Sequence, residues 1–400
     1  MIPRVLFVVD SGTDVRLVES LAERTTLRIL ARRLPGGHEI SQPTAAPIGM
    51  EIGPAGHAAF SVFAARRLWA LRSEIDVVIV QGYGPTAACV NTIARLAALR
   101  VLMLVCSPVE AYYRCRTIAR TGRPFRPIEY LAIRAFSVFN ALAGQGYVVL
   151  SPYLASVVRS HGGSRPIDVI PVYGVDRQIF RPAQEDRRAI RRRLGLPETG
   201  PIVFFSSRVA PEKDAETVLR AIQRLEAEGR PVHLLHLSGG YRELAQLAAS
   251  IGVASRVVAR DAVAPFAELA DYYRASDVCV QASREEGLGF SPLEALACGV
   301  PVVASAVGGL RDTIRDGETG WQVPVGDADA LARAILQILD DPAEASRRTL
   351  EGAQRVDRVY ERRVVFDAFV DRLSGSLRLK TFAKVEGDPR VASAPSAKEC

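Results

Sequence analysis

Short apolar runs alternate with longer amphipathic segments along almost the whole chain. Residues 5–9, 76–80, 101–105, 147–150 and 167–171 form one set of runs. Residues 202–207, 232–237, 277–282 and 301–305 form a second, with a strand and loop over 257–264. Such runs are apolar on both faces and bounded by turn residues, so they predict strands buried in parallel sheets. Residues 26–31 are a further candidate strand, ended by Pro35-Gly36-Gly37. Helical spacing is expected over 14–24, 57–72, 86–99, 125–143, 187–194, 215–229, 267–276 and 328–339. Ser151-Pro152 starts another helix, with serine as cap and proline in the first turn. Strand–helix alternation of this kind predicts βαβ units. The expected fold class is α/β, with parallel sheets in both halves of the chain.

Ligands in such sheets bind at the carboxyl ends of strands. In the first half this gathers Ser11-Gly12, Gly82-Tyr83-Gly84 and residues 107–113 around one crevice. In the second half it gathers three loops. One is RVAPEKD, with Arg208 and Lys213; one is the glycine corner Ser238-Gly239-Gly240; the third is QASREEGLGFSPLEALACGVPVVAS, residues 281–305. The third carries two glutamates, Glu286 and Glu294, around a Gly287-Leu288-Gly289 turn and a helix expected to start at Ser291-Pro292. Free N–H groups at a glycine turn and a helix start suit anionic, oxygen-rich ligands. A glutamate in the first helical turn is also an ordinary partner of the helix dipole.

Composition narrows the function classes. The 400 residues are 48% hydrophobic and 24% charged, as in ordinary globular proteins, and carry a net charge of +7. No apolar run reaches the roughly 18 residues of a membrane span. The first residues enter a strand without a secretory pattern. The six cysteines are scattered, so a reduced cytoplasm is the expected home, with peripheral contact at the inner membrane face as an extension. Only four of the 51 basic residues are lysines, and Lys213 alone precedes the C-terminal tail. A chain that otherwise writes arginine has an ammonium at this one internal position. The basic balance suits polyphosphates or anionic membranes. Nucleic acid is not an expected partner, because no aromatic–basic, zinc or helix-turn-helix pattern is present. A dehydrogenase is disfavoured because no G-x-G-x-x-G follows any strand.

The spacing of Glu286 and Glu294 resembles the E-x7-E signature of retaining glycosyltransferases of the GT-B fold, family 4. VYGVDRQIFRP, residues 172–182, resembles that family's N-G-V-D-x-x-x-F-x-P hinge, with Tyr173 where asparagine is usual. Arg208 and Lys213 resemble its diphosphate-holding cations. The resemblance is continuous over residues 167–339 and weaker before them, and it implies two Rossmann-like domains with parallel sheets facing each other across a cleft. It implies that Glu286 faces the donor sugar, Glu294 holds the ribose, and the backbone of Gly287, Leu288, Gly289 and Phe290 holds sugar or phosphate oxygens. It adds Gly12, Gly239 and Val263 as donor contacts, the last beside the base. The expected catalytic residues are therefore Glu286, Arg208 and Lys213. The donor would be a nucleotide-diphosphate sugar, and the acceptor a glycan or lipid-linked hydroxyl. No bound cofactor is expected, nor a metal ion, since two cations would do its work.

Two departures fall in the first half. The family's paired glycines are reduced to Gly12. The histidine expected near residues 106–116 is absent, leaving Glu110, Tyr112 and Tyr113 as acceptor or sugar candidates in a surface loop. The expected organisation is an acceptor domain over 1–171, a donor domain over 172–357, a returning helix over 358–377 and a disordered tail over 378–400. The apolar helix over 125–143, beside an arginine collar, is expected to be a packed core helix with a solvated basic edge; docking on anionic lipid is its other reading. Two rivals remain: a different GT-B enzyme such as an epimerase or phosphorylase, and a non-catalytic nucleotide-sugar-binding subunit.

Overall fold

A computed structural model describes residues 2–34, 49–262 and 266–374. Val263 and the tail over 378–400, like Pro35-Gly36-Gly37, lie outside the described residues.

Two all-parallel sheets organise the chain. The first has seven strands in the order β3-β2-β1-β4-β5-β6-β7. They are β1 (Arg4–Val9), β2 (Thr26–Arg32), β3 (Gly49–Gly53), β4 (Val77–Gln81), β5 (Arg100–Val105), β6 (Tyr147–Val149) and β7 (Ile167–Val169). Its helices are α1 (Val15–Arg24), α2 (His57–Leu71), α3 (Pro85–Leu96), α4 (Val109–Thr121), α5 (Pro127–Ala143) and α6 (Pro152–Ser160). The second has six strands in the order β10-β9-β8-β11-β12-β13: β8 (Ile202–Phe205), β9 (His233–Leu237), β10 (Val257–Arg260), β11 (Val278–Gln281), β12 (Val302–Ser305) and β13 (Trp321–Val323). Around it lie α7 (Arg187–Leu194), α8 (Ala215–Ala227), α9 (Tyr241–Ile251), α10 (Phe266–Arg274), α11 (Phe290–Ala297), α12 (Leu310–Thr313), α13 (Ala328–Asp340) and α14 (Pro342–Arg355). A final helix, α15 (Arg362–Ser374), lies against the first sheet's layer, with Arg372 paired to the buried Asp168 on β7 and Arg362 bonded to Ser20 on α1 at 3.0 Å.

The central strands are apolar on both faces because helices cover both. Val5 to Val9 are all buried, as are Val77 to Val80 and Ile202 to Phe205. In each sheet the strand order reverses at the middle, between β1 and β4 and between β8 and β11. These are the crevices in which open α/β sheets bind ligands.

Several elements depart from expectation. β3 is a half-exposed edge strand of five residues with glycine at both ends, too short and polar to leave a periodic signal. Residues 109–121 are helical rather than loop, yet α4 buries none of its side chains fully, so it carries no apolar stripe. α5 begins at Pro127, where Glu129 accepts from the Arg126 N–H at 3.0 Å. α9, α14 and β13 went unread. The helix expected at Ser291 starts at Phe290 after Gly289, which sits at φ +94°. Glu294 is therefore its fifth residue and lies beyond the first turn, so the dipole reading lapses. Pro292 still falls where helical N–H groups lack intrahelical partners.

α5 departs most. It is not a packed core helix. Its buried residues are Ser137, Asn140 and Ala141, while Ile128, Leu131, Ala132, Ala135, Phe136, Phe139 and Leu142 face outward. Asn140 fixes that orientation. Its amide donates to the Tyr83 carbonyl at 2.8 Å, and its side-chain oxygen accepts from Asn91 at 3.1 Å.

Candidate active site

The exits of β8 and β11 form one side of the cleft. After β8 the chain makes a single turn of 3-10 helix, Pro211–Lys213, and enters α8 through Asp214 at φ +50°. After β11 it runs through Ser283 to Gly289. The two loops are joined by Arg284 N–H donating to the Glu212 carbonyl at 2.9 Å and by Arg284 paired with Asp214 at 3.0 Å.

Glu286 is buried at the centre of this pair. Its carboxylate is in contact with the Lys213 ammonium and receives the Ser283 hydroxyl at 3.3 Å and the Gln281 amide at 3.5 Å. Lys213 and Glu286, 73 residues apart in the chain, therefore meet. The turn that follows is held from behind. The Glu286 carbonyl accepts from Gly309 at 3.0 Å, the Gly287 carbonyl from Ser151 Oγ at 2.6 Å, and the Leu288 carbonyl from Thr313 at 3.1 Å. Two glycines are required by close approach: a Cβ on Gly287 would lie 2.4 Å from the Cys106 carbonyl oxygen, and one on Gly309 would lie 2.1 Å from that of Gly287. The carbonyls are thus engaged, whereas the Leu288 and Gly289 N–H groups donate no hydrogen bond among the described residues.

Arg208 is exposed at the mouth and makes no hydrogen bond or ion pair among the described residues. The next residue, Val209, donates its N–H to the Gly239 carbonyl at 3.2 Å, which brings the glycine corner beside it. Asp327-Ala328-Asp329, the sequence's Asp-x-Asp triplet, serves α13: Asp327 caps the helix by accepting from Ala330 at 2.8 Å, and Asp329 pairs with Arg224 at 2.8 Å.

Glu294 is the second buried acid. It accepts from Arg16 Nη1 at 2.9 Å and from the Tyr273 hydroxyl at 3.0 Å. Burial pushes its carboxyl above the ordinary range, with Arg16 and Tyr273 offsetting only part of that. Burial also opposes charge on Arg16, but Asp14 and Glu294 outweigh it and hold the guanidinium firmly protonated. Arg16 sits at the start of α1, just beyond Gly12, whose carbonyl accepts from Gln81 at 3.1 Å. The first sheet's crevice therefore reaches directly into the second's. Sequence reasoning missed Arg16 and Tyr273; the one local signal for Arg16 was its place beside the helix cap Asp14.

Other contacts across the cleft come from α4. Arg116 pairs with the buried Glu212 at 2.6 Å, and the Tyr112 hydroxyl lies 3.5 Å from Glu286. Burial, reinforced by Glu286, holds the Tyr112 phenol well above its ordinary range. Glu110 pairs with His161 at 2.9 Å and Arg134 at 3.8 Å. It lines a cavity of ≈ 690 Å³ that also takes Tyr83, Ser107, Tyr153 and Glu285. The Tyr83 hydroxyl and His161 Nδ1 are buried there without hydrogen-bond partners among the described residues. Burial raises the Glu285 carboxyl despite Arg114 nearby. Of the three acceptor candidates, the structure brings Glu110 to this cavity and Tyr112 to Glu286; Tyr113 is 52% exposed and lines neither.

Residues 186–356, which carry both loops, match the family model "Glycosyl transferases group 1". A D-inositol 3-phosphate glycosyltransferase of Thermobispora bispora is 40% identical over 180 residues, covering 42% of this chain and 41% of that protein. A GDP-mannose-dependent alpha-(1-6)-phosphatidylinositol monomannoside mannosyltransferase of Mycolicibacterium smegmatis is 36% identical, covering 48% and 52%. The chain thus spans about half the length of the curated relatives it matches. Solved structures extend the likeness of fold to both halves. Sucrose-phosphate synthase from Thermosynechococcus elongatus superposes with a TM-score of 0.76 at 22% identity, covering 94% of this chain and all of that one. Anabaena HepE, solved in complex with UDP and glucose, gives 0.73 at 16% identity, covering 93% and all. The fold is GT-B.

Proposed function

We propose that the protein transfers a sugar, with retention of configuration, from a nucleotide-diphosphate sugar to an acceptor hydroxyl in glycan, polysaccharide or glycolipid synthesis, as a member of family 4. The observation that carries this reading is the meeting of Lys213, Glu286 and the glycine turn at the crevice of the second sheet, opposite the crevice of the first. Arg208 and Lys213 neutralise the diphosphate as the anomeric carbon–oxygen bond breaks, where preorganised charge contributes most. The electron pair stays on the phosphate oxygen. The acceptor hydroxyl attacks the same face, and its proton passes to that departing oxygen, so no protein base is needed. Glu286 and the free Leu288 and Gly289 amides orient the sugar. Glu294 takes the ribose hydroxyls once Arg16 shares or yields its place. The Glu110 cavity takes the acceptor.

One relative is named for GDP-mannose and one structural neighbour was solved with UDP, which makes GDP- and UDP-sugars the first donors to test. Incubation with each donor and a panel of polyol, glycan and lipid-linked acceptors, read by nucleotide release and product mass, tests the reading. Glu286→Ala is expected to lower turnover by about 10²–10³-fold. A second reading, a nucleotide-sugar-binding subunit without turnover, is favoured by the full engagement of Glu294 with Arg16 and Tyr273. Donor binding without acceptor-dependent release across the panel supports that reading instead.

A further inference from the structure

The outward face of α5 has no partner among the described residues, and its composition is unusual for a soluble surface. Ile128, Leu131, Ala132, Ala135, Phe139 and Leu142 recur at three- and four-residue intervals and form one stripe without a charge. Ile128 is 68% exposed, Leu131 61% and Leu142 59%. The stripe is about 20 Å long at the helical rise per residue. It cannot turn inward, because the opposite face is pinned by the buried Asn140, bonded to Tyr83 and Asn91, with Ser137 buried beside it. A contiguous apolar face held outward marks an interaction surface.

Its surroundings are cationic. Residues 109–143 contain six arginines against two glutamates. Arg120 and Arg126, at and just beyond the end of α4, are exposed beside the start of the stripe. The same helix lines the Glu110 cavity with Pro127, Tyr130, Arg134 and Ser137, so the stripe and the cavity are two faces of one element.

We propose that α5 and the arginine-bearing turn before it dock the protein on an anionic lipid surface, with α5 lying in the plane of the headgroups. The apolar stripe enters the acyl boundary while the arginines engage lipid phosphates, the arrangement expected of an interfacial helix. A second copy of the chain fits less well. A parallel two-fold contact through α5 brings the same arginine turns together, like charge against like, and an antiparallel one sets each turn against the uncharged far end of the stripe, where no counter-charge lies. The docking stands on the helix and its charges alone, and holds whether or not the protein is a transferase.

The test uses the full chain and sedimentation with vesicles of phosphatidylcholine, with and without phosphatidylglycerol. Binding is expected only to the anionic vesicles, weakening as salt is raised. Arg120→Ala/Arg126→Ala is expected to lower partitioning by about 30-fold. Leu131→Ser/Phe139→Ser is expected to lower it at least about tenfold; both side chains are exposed, so the thermal midpoint and nucleotide affinity stay as in the wild type. Absence of binding to anionic vesicles overturns the proposal, as does equal binding to neutral ones. A dimer in sedimentation velocity that dissociates on Leu131→Ser/Phe139→Ser also overturns it, in favour of self-association.

Discussion

Replacing Arg16 by methionine tests the buried tie between the two crevices. Arg16 and Glu294 are exposed by only 7% and 5% at the side chain and lie 2.9 Å apart. Methionine keeps much of the volume but leaves Glu294 with Tyr273 as its remaining hydrogen-bond donor. Losing one partner of a buried pair commonly costs about 3–5 kcal/mol, because the remaining charge stays uncompensated. Here protonation of Glu294 limits the loss. Holding a carboxyl of ordinary value 4.5 neutral costs about 1.4 kcal/mol per pH unit above that value, hence roughly 4 kcal/mol near pH 7.5 and about 1.4 near pH 5.5. Burial has already raised this carboxyl in the wild type, so those figures are ceilings and the added penalty is smaller, largest at neutral pH. The sign follows. A carboxyl whose folded value is raised contributes its full stability below the unfolded value and loses it as pH rises through the folded one. The variant is therefore weakest at neutral pH and approaches the wild type in mild acid. Denaturant unfolding at the two pH values measures this, and Glu294→Gln in the same chain is expected to recover most of the loss. A penalty that is equal at both pH values and unchanged by Glu294→Gln refutes the reasoning.

Three further outcomes are expected. Gly309→Ala places a methyl against the Gly287 carbonyl, so it is expected to displace the turn, cost about 1–3 kcal/mol and weaken nucleotide binding, read by thermal unfolding with and without ligand. Arg116 holds the buried Glu212 carboxyl below its ordinary value of 4.5, outweighing the opposing effect of burial. A depressed folded value contributes stability above the unfolded one and loses it as pH falls through the folded one. The wild type is therefore expected to lose melting temperature below about pH 4.5, and Arg116→Ala to lose part of that at pH 7 already. Tyr112→Phe removes the hydroxyl near Glu286 while keeping the ring under Arg116; a change in sugar-donor affinity without a change in melting temperature is expected, measured by competitive titration.

The parallel strands were legible because strands covered on both faces are written as unbroken apolar runs, as at Val77 to Val80. Lys213 stood out against a background of arginine, and its meeting with Glu286 follows from two adjacent strand exits. α4 was not legible, since a helix lining a polar cleft lacks an apolar stripe. α5 was legible as a helix, but an apolar count does not tell inside from outside. The inward placement of Asn140 rests on partners in other elements, Tyr83 and Asn91. Arg16 was hidden for the same reason: its acid lies 278 residues away, and no local spacing reports such a pair.

The central claim is that the exits of β8 and β11 hold a nucleotide diphosphate through Arg208 and Lys213. Calorimetric titration of UDP and GDP into the wild type, Arg208→Ala and Lys213→Ala tests it most directly. The account predicts binding of one nucleotide, weakened about 10–100-fold in each variant, the worth of a hydrogen bond to a charged group. Failure of both nucleotides to bind, or binding that ignores both substitutions, contradicts it.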